Sequence, residues 1–155
     1  AAGAATLHPA GGVLACTRLG DMGVGPYLLA SSVRGVLAQR LVRCLCVECR
    51  KGEAPTAGEA KVLQSMGLPQ AMRLFRAAGC AACSQTGYRG RTAIHELLDL
   101  SDKIRELILE KRPTSEIKRA ARDEGMTFLR DSAGDKVRRG ISTLKEINKV
   151  TIIET

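Results

Sequence analysis

At 155 residues and a formal charge of +8, the chain is long enough for one sizeable core or for two small units closely joined. Its apolar runs fall short of the roughly 18 to 20 residues that span a bilayer, and Ala1 to Ala5 lack the basic and leucine-rich regions of a signal peptide, so a cytoplasmic setting is expected. The excess of arginine and lysine suits nucleic acid, anionic lipid or nucleotide phosphates, but with only Tyr27, Phe75, Tyr88 and Phe128 as aromatics and no tryptophan, no stacking platform for single strands is visible.

The chain opens on small residues without a start methionine, as a segment of something larger would. Val13 to Leu19 reads as a first helix, closed by the glycines and proline of Gly20, Gly23, Gly25 and Pro26. From about Tyr27 the apolar positions Leu29, Val33, Val36, Leu37 and Leu41 predict a second helix, with Arg34, Gln39 and Arg40 on its opposite, solvated side. Thr56 to Met66 reads as a third, with Ala60, Leu63 and Met66 as a weak stripe ended by Gly67 and Pro69. Thr92 to Leu98 alternates as a strand should, Ala93, His95 and Leu97 against Ile94, Glu96 and Leu98.

Short helices with readable boundaries follow. Ser101 can cap one presenting Ile104, Leu107 and Ile108; Pro113 and Thr114 start the next, with Ile117, Ala120 and Ala121, which stops at Gly125. Thr127 can cap a helix with Leu129, Ala133 and Val137 on one face, and Thr143 and Glu146 have the spacing of a capping box before Leu144, Ile147 and Val150. Helices this short depend on packing their apolar faces, so a compact bundle is expected.

The strongest chemical signal is the pair of C-x-x-C motifs, Cys46 with Cys49 and Cys80 with Cys83. Two residues between thiolates let both point at one ion from a tight turn, and two such turns complete a closed tetrahedral site. Gly52 and Gly87 supply backbone curvature nearby. Four soft ligands favour zinc, with iron as the alternative; a disulfide framework is the competing use of six cysteines and is weak in a cytoplasmic chain. Cys44 is an alternate ligand that breaks the C-x-x-C spacing, and Cys16 reads as a small buried residue. His95, in the predicted strand, is not assigned to the metal. A closed site leaves no position for substrate, so its work is to hold loops together.

Several stretches in order resemble the end of the type II (general secretory pathway) secretion ATPase family. They are Thr6-Leu7-His8, Thr17-Arg18-Leu19, Asp21-Met22-Gly23-Val24, the run from Val36 to Arg43, both cysteine pairs, Gly87-Tyr88-Arg89-Gly90-Arg91-Thr92, Ile94-His95-Glu96-Leu97-Leu98 and Gly140-Ile141-Ser142-Thr143-Leu144. The type IV pilus assembly ATPases share this outline, and Ile94 to Leu98 leans toward the secretion branch. The resemblance implies an α+β, mainly helical fold. Residues 1–43 would end a RecA-like ATPase domain, 44–91 form a tetracysteine metal-binding module with short strands, and 92–155 a strand and carboxy-terminal helical bundle.

It also implies a hexameric cytoplasmic motor, peripheral to the inner membrane, that works with inner-membrane secretion platform proteins and uses ATP and magnesium in the full-length protein to assemble a pseudopilus. No G-x-x-x-x-G-K-[ST] occurs in the 155 residues, so the chain alone is expected to be inactive. His8 matches the end of the family's histidine box, followed here by Pro9, Ala10, Gly11 and Gly12. Gln39, Arg40 and Arg43 are candidates for nucleotide response or subunit contact. The readings of another class are a zinc-ribbon module binding nucleic acid, with Arg89 and Arg91 beside the second cysteine pair, and a chaperone-like cysteine-rich domain. The first is disfavoured by the missing stacking platform, the second by having only two C-x-x-C motifs and by the helices after Leu100.

Overall fold

Local sequence sets most of the helices in the computed structural model, which describes residues 11–151. Gly12–Asp21 (α1) starts without a side-chain cap, and Pro26–Ser32 (α2) uses its proline in the first turn, where the missing amide costs nothing. Ala57–Ser65 (α3) has a complete capping box between Thr56 and Glu59. Asp102–Leu109 (α4) is capped by Ser101, whose hydroxyl accepts from the Ile104 amide at 3.2 Å. Thr114–Asp123 (α5), Leu129–Arg138 (α6) and Leu144–Thr151 (α7) complete the helices of the described residues.

The second predicted helix is a helix only in its first part. The chain leaves α2 at Val33, whose ψ of 129° is extended, and Gly35–Leu45 forms a strand (β1). The run from Val36 to Arg43 satisfies both periods. As a strand it puts Leu37, Gln39, Leu41 and Arg43 on one face and Val36, Ala38, Arg40 and Val42 on the other. Pairing with a second long strand, Tyr88–Asp99 (β4), decides in favour of the extended form. β4 is longer than the predicted Thr92 to Leu98; within it Ile94, Glu96 and Leu98 are buried while His95, Leu97 and Asp99 face outward. The other sheet pairs Lys51–Glu53 (β2) antiparallel with Leu74–Arg76 (β3), in the register Lys51 to Arg76, Gly52 to Phe75 and Glu53 to Leu74.

The described residues fall into two units that are interleaved in sequence, 11–38 with 95–128 and 39–94 with 129–151. In the first, α1, α2, α4 and α5 gather around Val13, Leu29, Leu98, Ile104 and Ile117. Gly12 comes close to the sheet there: a Cβ on it would stand 3.3 Å from both the Leu98 Cβ and the Val36 carbonyl oxygen. Its amide donates to the buried Glu96 carboxylate at 2.6 Å, which serves the helix start that has no cap of its own. In the second unit the buried side chains include Val42, Leu45, Leu63, Leu74, Ile94, Leu129, Val137 and Ile147. Each such aliphatic contributes roughly 1.5 to 3 kcal/mol by leaving water. The four helices after Leu100 therefore do not all join one group: α4 and α5 lie in the first unit, α6 and α7 in the second.

No helix of the described residues is long and apolar enough to cross a membrane.

Candidate metal centre

β1 ends at Leu45, and the next five residues form the turn that carries Cys46 and Cys49. The Arg50 amide closes this turn on the Cys46 carbonyl at 3.0 Å. The second pair stands beyond β3, where Ala81–Cys83 makes a 3-10 turn. There the Gln85 amide returns to the Cys80 carbonyl at 2.9 Å, and Ser84 and Gln85 take left-handed backbone conformations. Because β2 follows the first turn and β3 precedes the second, their antiparallel pairing brings the two turns to the same end of a small hairpin. The Cys46 amide then donates to the Gly87 carbonyl at 3.0 Å, fastening one turn to the loop of the other.

The four sulfurs converge. Cys46 and Cys80 are 3.9 Å apart, Cys49 and Cys83 3.8 Å, Cys80 and Cys83 3.7 Å, and all four Sγ atoms lie within 4.8 Å of one another. A regular tetrahedron of thiolates at ~2.3 Å from a zinc ion has edges of about 3.8 Å, which these three separations match. A disulfide needs about 2.05 Å, and all six cysteines are free. The sulfurs are also provided for as anions. Cys49 accepts from the Gly79 amide at 3.3 Å, and Cys83 accepts from the amides of Cys80 and Gly87, each at 3.2 Å. Burial pushes the Cys83 thiol up, but these two amides together with the Cys80 and Cys49 thiols outweigh it and bring it down to about 6. Burial, and then its contact with Cys83, raise the Cys80 thiol to about 11.

Gly79 and Gly87 make these contacts possible. Both have positive φ, +101° and +75°, and a Cβ on Gly87 would meet the Ala77 Cβ at 2.5 Å. Of the two, the sequence reading singled out Gly87 alone; the glycine immediately before Cys80 was the signal for the other. Cys44 and Cys16 stand outside the sulfur cluster. Cys16 is buried in the core of the first unit, where burial raises its thiol to about 11, as befits an inert small apolar residue.

Next to this centre is a polar network that the sequence reading missed. Arg43 grips Glu146 through Nε at 2.9 Å and Nη2 at 2.7 Å, and its guanidinium stacks 4.0 Å from the centre of the Tyr88 ring. The Tyr88 hydroxyl lies 3.0 Å from the Thr143 hydroxyl oxygen, which accepts from the Glu146 amide at 3.1 Å; the Ser142 hydroxyl donates to the Arg43 carbonyl at 2.8 Å. The spacing of Thr143 and Glu146 signalled a capping box, and its first half is present. The Glu146 carboxylate, however, is taken by Arg43, which lowers its pKa from the ordinary carboxylate value. Arg50 is committed in the same way, donating to the Gly140 carbonyl at 2.5 Å over the Phe75 ring. Arg76 of β3 binds Glu59 and holds that carboxyl at about 2.

Of the remaining expected site residues, Gln39 shares the exposed face of β1 with Arg43, and Arg40 is half-buried on the opposite face. The described residues bring neither to the sulfur cluster. His8 lies outside the described residues.

A family model described as type II/IV secretion system protein matches residues 2–149. The type II secretion system protein HxcR of Pseudomonas aeruginosa is 47% identical over 147 residues, covering 95% of this chain and 28% of that protein. The type II secretion system ATPase E of Vibrio cholerae is 43% identical over 94% of this chain and 29% of its own length. The type IV pilus assembly ATPase PilB of Thermus thermophilus is 42% identical over 96% of this chain and 17% of its own. The chain thus spans under a third of the length of these curated relatives.

Proposed function

Because the chain belongs to the type II/IV secretion system protein family, we propose that it is a segment of a hexameric cytoplasmic ATPase, peripheral to the inner membrane, that powers type II secretion by pseudopilus assembly. The similarity to HxcR, 47% over 95% of this chain, carries the reading. In it, residues before the cysteine module end a RecA-like nucleotide-binding domain, and inner-membrane platform proteins receive the motion. A type IV pilus motor is the second reading, supported by the 42% identity to PilB.

Cys46, Cys49, Cys80 and Cys83 would hold one zinc ion, which would supply a cross-link between two turns and no reaction step. The hairpin of β2 and β3 positions the turns, and the amides of Gly79, Cys80 and Gly87 stabilise sulfur charge. Arg43 serves this segment by fixing the start of α7 through Glu146; Gln39 and Arg40 are the residues left to answer nucleotide or a neighbouring subunit, and His8 belongs to the histidine box. ATP and magnesium act in the longer protein, since phosphoryl transfer needs backbone amides and a lysine around the phosphates, and no phosphate-binding loop occurs in these residues.

Steady-state phosphate release tests the proposal. Purified chain with magnesium and ATP should give none, and a continuous protein extended through a nucleotide-binding segment should turn over. Magnesium-dependent turnover by the 155 residues, surviving removal of contaminating ATPases, would place catalysis here and overturn the assignment.

A further inference from the structure

The chain's positive charge is not spread evenly. Residues 39–94 and 129–151 hold 15 lysines and arginines against 6 aspartates and glutamates, whereas residues 11–38 and 95–128 hold 9 of each sign. The whole excess belongs to the unit with the cysteine centre. Several of the basic side chains there are ion-paired: Arg43 with Glu146, Arg76 with Glu59 and Glu53, Arg138 and Arg139 with Asp135.

Lys145 and Lys149, the latter reaching Glu146 only at 3.8 Å, have a shaped surface beside them. They stand one helical turn apart on α7, both exposed, along a groove of about 460 Å³ between α7 and α3. Thr56, Val62, Leu144 and Asn148 also line it. Glu59 lines it as well but spends its carboxylate on Arg76 and on the Thr56 amide. Glu146, 3.8 Å from the Lys149 ammonium, spends its own on Arg43. Both carboxylates are therefore engaged mainly elsewhere, and the exposed Lys145 and Lys149 stand beside the apolar side chains of Val62 and Leu144.

We propose that this groove is a docking site for an acidic amphipathic segment of a protein partner. One apolar side chain of the segment would lie against Val62 and Leu144, and carboxylates one turn apart would meet Lys145 and Lys149. A concave floor with an apolar strip suits a side chain better than a lipid headgroup plane, which would leave the groove empty. None of the chain's four aromatics lines it, so it offers nothing for base stacking. The contacts are exposed and screened, so they provide register and selectivity more than tightness. The inference rests on the charge distribution and the groove and is independent of the motor reading.

The test uses the isotopically labelled 155-residue chain, purified without chelator, and a helical peptide of about four turns with glutamates flanking a leucine at one-turn spacing. Amide shifts should saturate at Gly58, Val62, Leu144, Lys145, Asn148 and Lys149. Affinity should fall by about tenfold or more in K145E/K149E and on raising salt from about 50 to about 300 mM. Unchanged thermal unfolding of K145E/K149E and of the milder K145A/K149A would show that the fold is intact. The proposal is overturned by no shifts up to about 1 mM peptide, by an equal response to a peptide with glutamines for glutamates, or by an undiminished response in the variants. Phosphatidylglycerol vesicles, duplex DNA or self-association perturbing these amides where the peptide does not would overturn it as well.

Discussion

Gly87 is the position where a single methyl group should do the most damage to the cysteine centre. Its φ of +75° lies in the left-handed region, which costs a residue with a Cβ roughly 1 to 2 kcal/mol. The Cβ of Gly87→Ala would also stand 2.5 Å from the Ala77 Cβ, 2.9 Å from its Cα and 3.0 Å from its carbonyl carbon. Two of those atoms are backbone, so relief requires moving one loop away from the other, an overpacking cost of roughly 1 to 3 kcal/mol. Movement of Gly87 in turn stretches its amide bond to the Cys83 sulfur and the Cys46 amide bond to its carbonyl.

Gly90→Ala is the control. Its φ is +79°, but nothing stands within 4 Å of the added Cβ. It should lose only the conformational part, about 1 to 2 kcal/mol, whereas Gly87→Ala loses about 2 to 5 kcal/mol. Denaturant unfolding measures both, and competition with a chromophoric chelator should show metal affinity falling by about tenfold or more in Gly87→Ala alone. If the two variants lose the same stability within about 0.5 kcal/mol and bind metal alike, the close approach of Gly87 to Ala77 does not organise the centre, and this reasoning fails.

Elemental analysis should find one zinc per chain, and chelation or Cys80→Ser should unfold the cysteine-bearing turns, because structural zinc contributes on the order of 10 kcal/mol to folding; a folded, reduced, metal-free sample would refute this. Val137 is 1% exposed on α6, so Val137→Asp should cost several kcal/mol through an unpaired buried charge, and an unchanged melting temperature would mean that the stripe with Leu129 and Ala133 is not a core. Arg76, and then the Thr56 amide, lower Glu59 from 4.5 to about 2. Its stabilising share is therefore complete above about pH 4.5 and is lost as the pH falls toward about 2. Glu59→Gln should be less stable than wild type at neutral pH, with the gap narrowing across that window; a gap independent of pH would remove Arg76 from the account.

The sequence announces its helices where capping chemistry is local. Ser101 and Thr143 both do what their positions suggest, and Thr56 joins Glu59 in a full capping box. It misleads between Val33 and Leu41. There, apolar spacing admits a helix and a two-faced strand alike, and the choice depends on a pairing partner that begins more than 40 residues later, at Tyr88. Periodicity in a short window cannot register a partner that distant. The cysteine cluster is legible for the opposite reason. Thiolates two residues apart constrain one another locally, and only the meeting of the two pairs needs the fold, through β2 and β3.

Arginines are harder to read than cysteines because their destination is set by what the fold places within reach. Arg43 sits in a run that invites a role toward phosphate, yet two of its nitrogens are committed to Glu146, 103 residues away in sequence, and its flat face is committed to Tyr88. For it to reach a nucleotide, the Glu146 carboxylate, whose side chain is 11% exposed, would have to surrender a bidentate partner and keep only the weaker approach of Lys149 at 3.8 Å. An arginine whose departure strands a nearly buried carboxylate is costly to recruit for catalysis. It is well suited to holding α7 against β1. Were this segment to answer nucleotide or a neighbouring subunit as proposed, Gln39, exposed on β1, and Arg40, half-buried on its other face, would be the candidates in that strand.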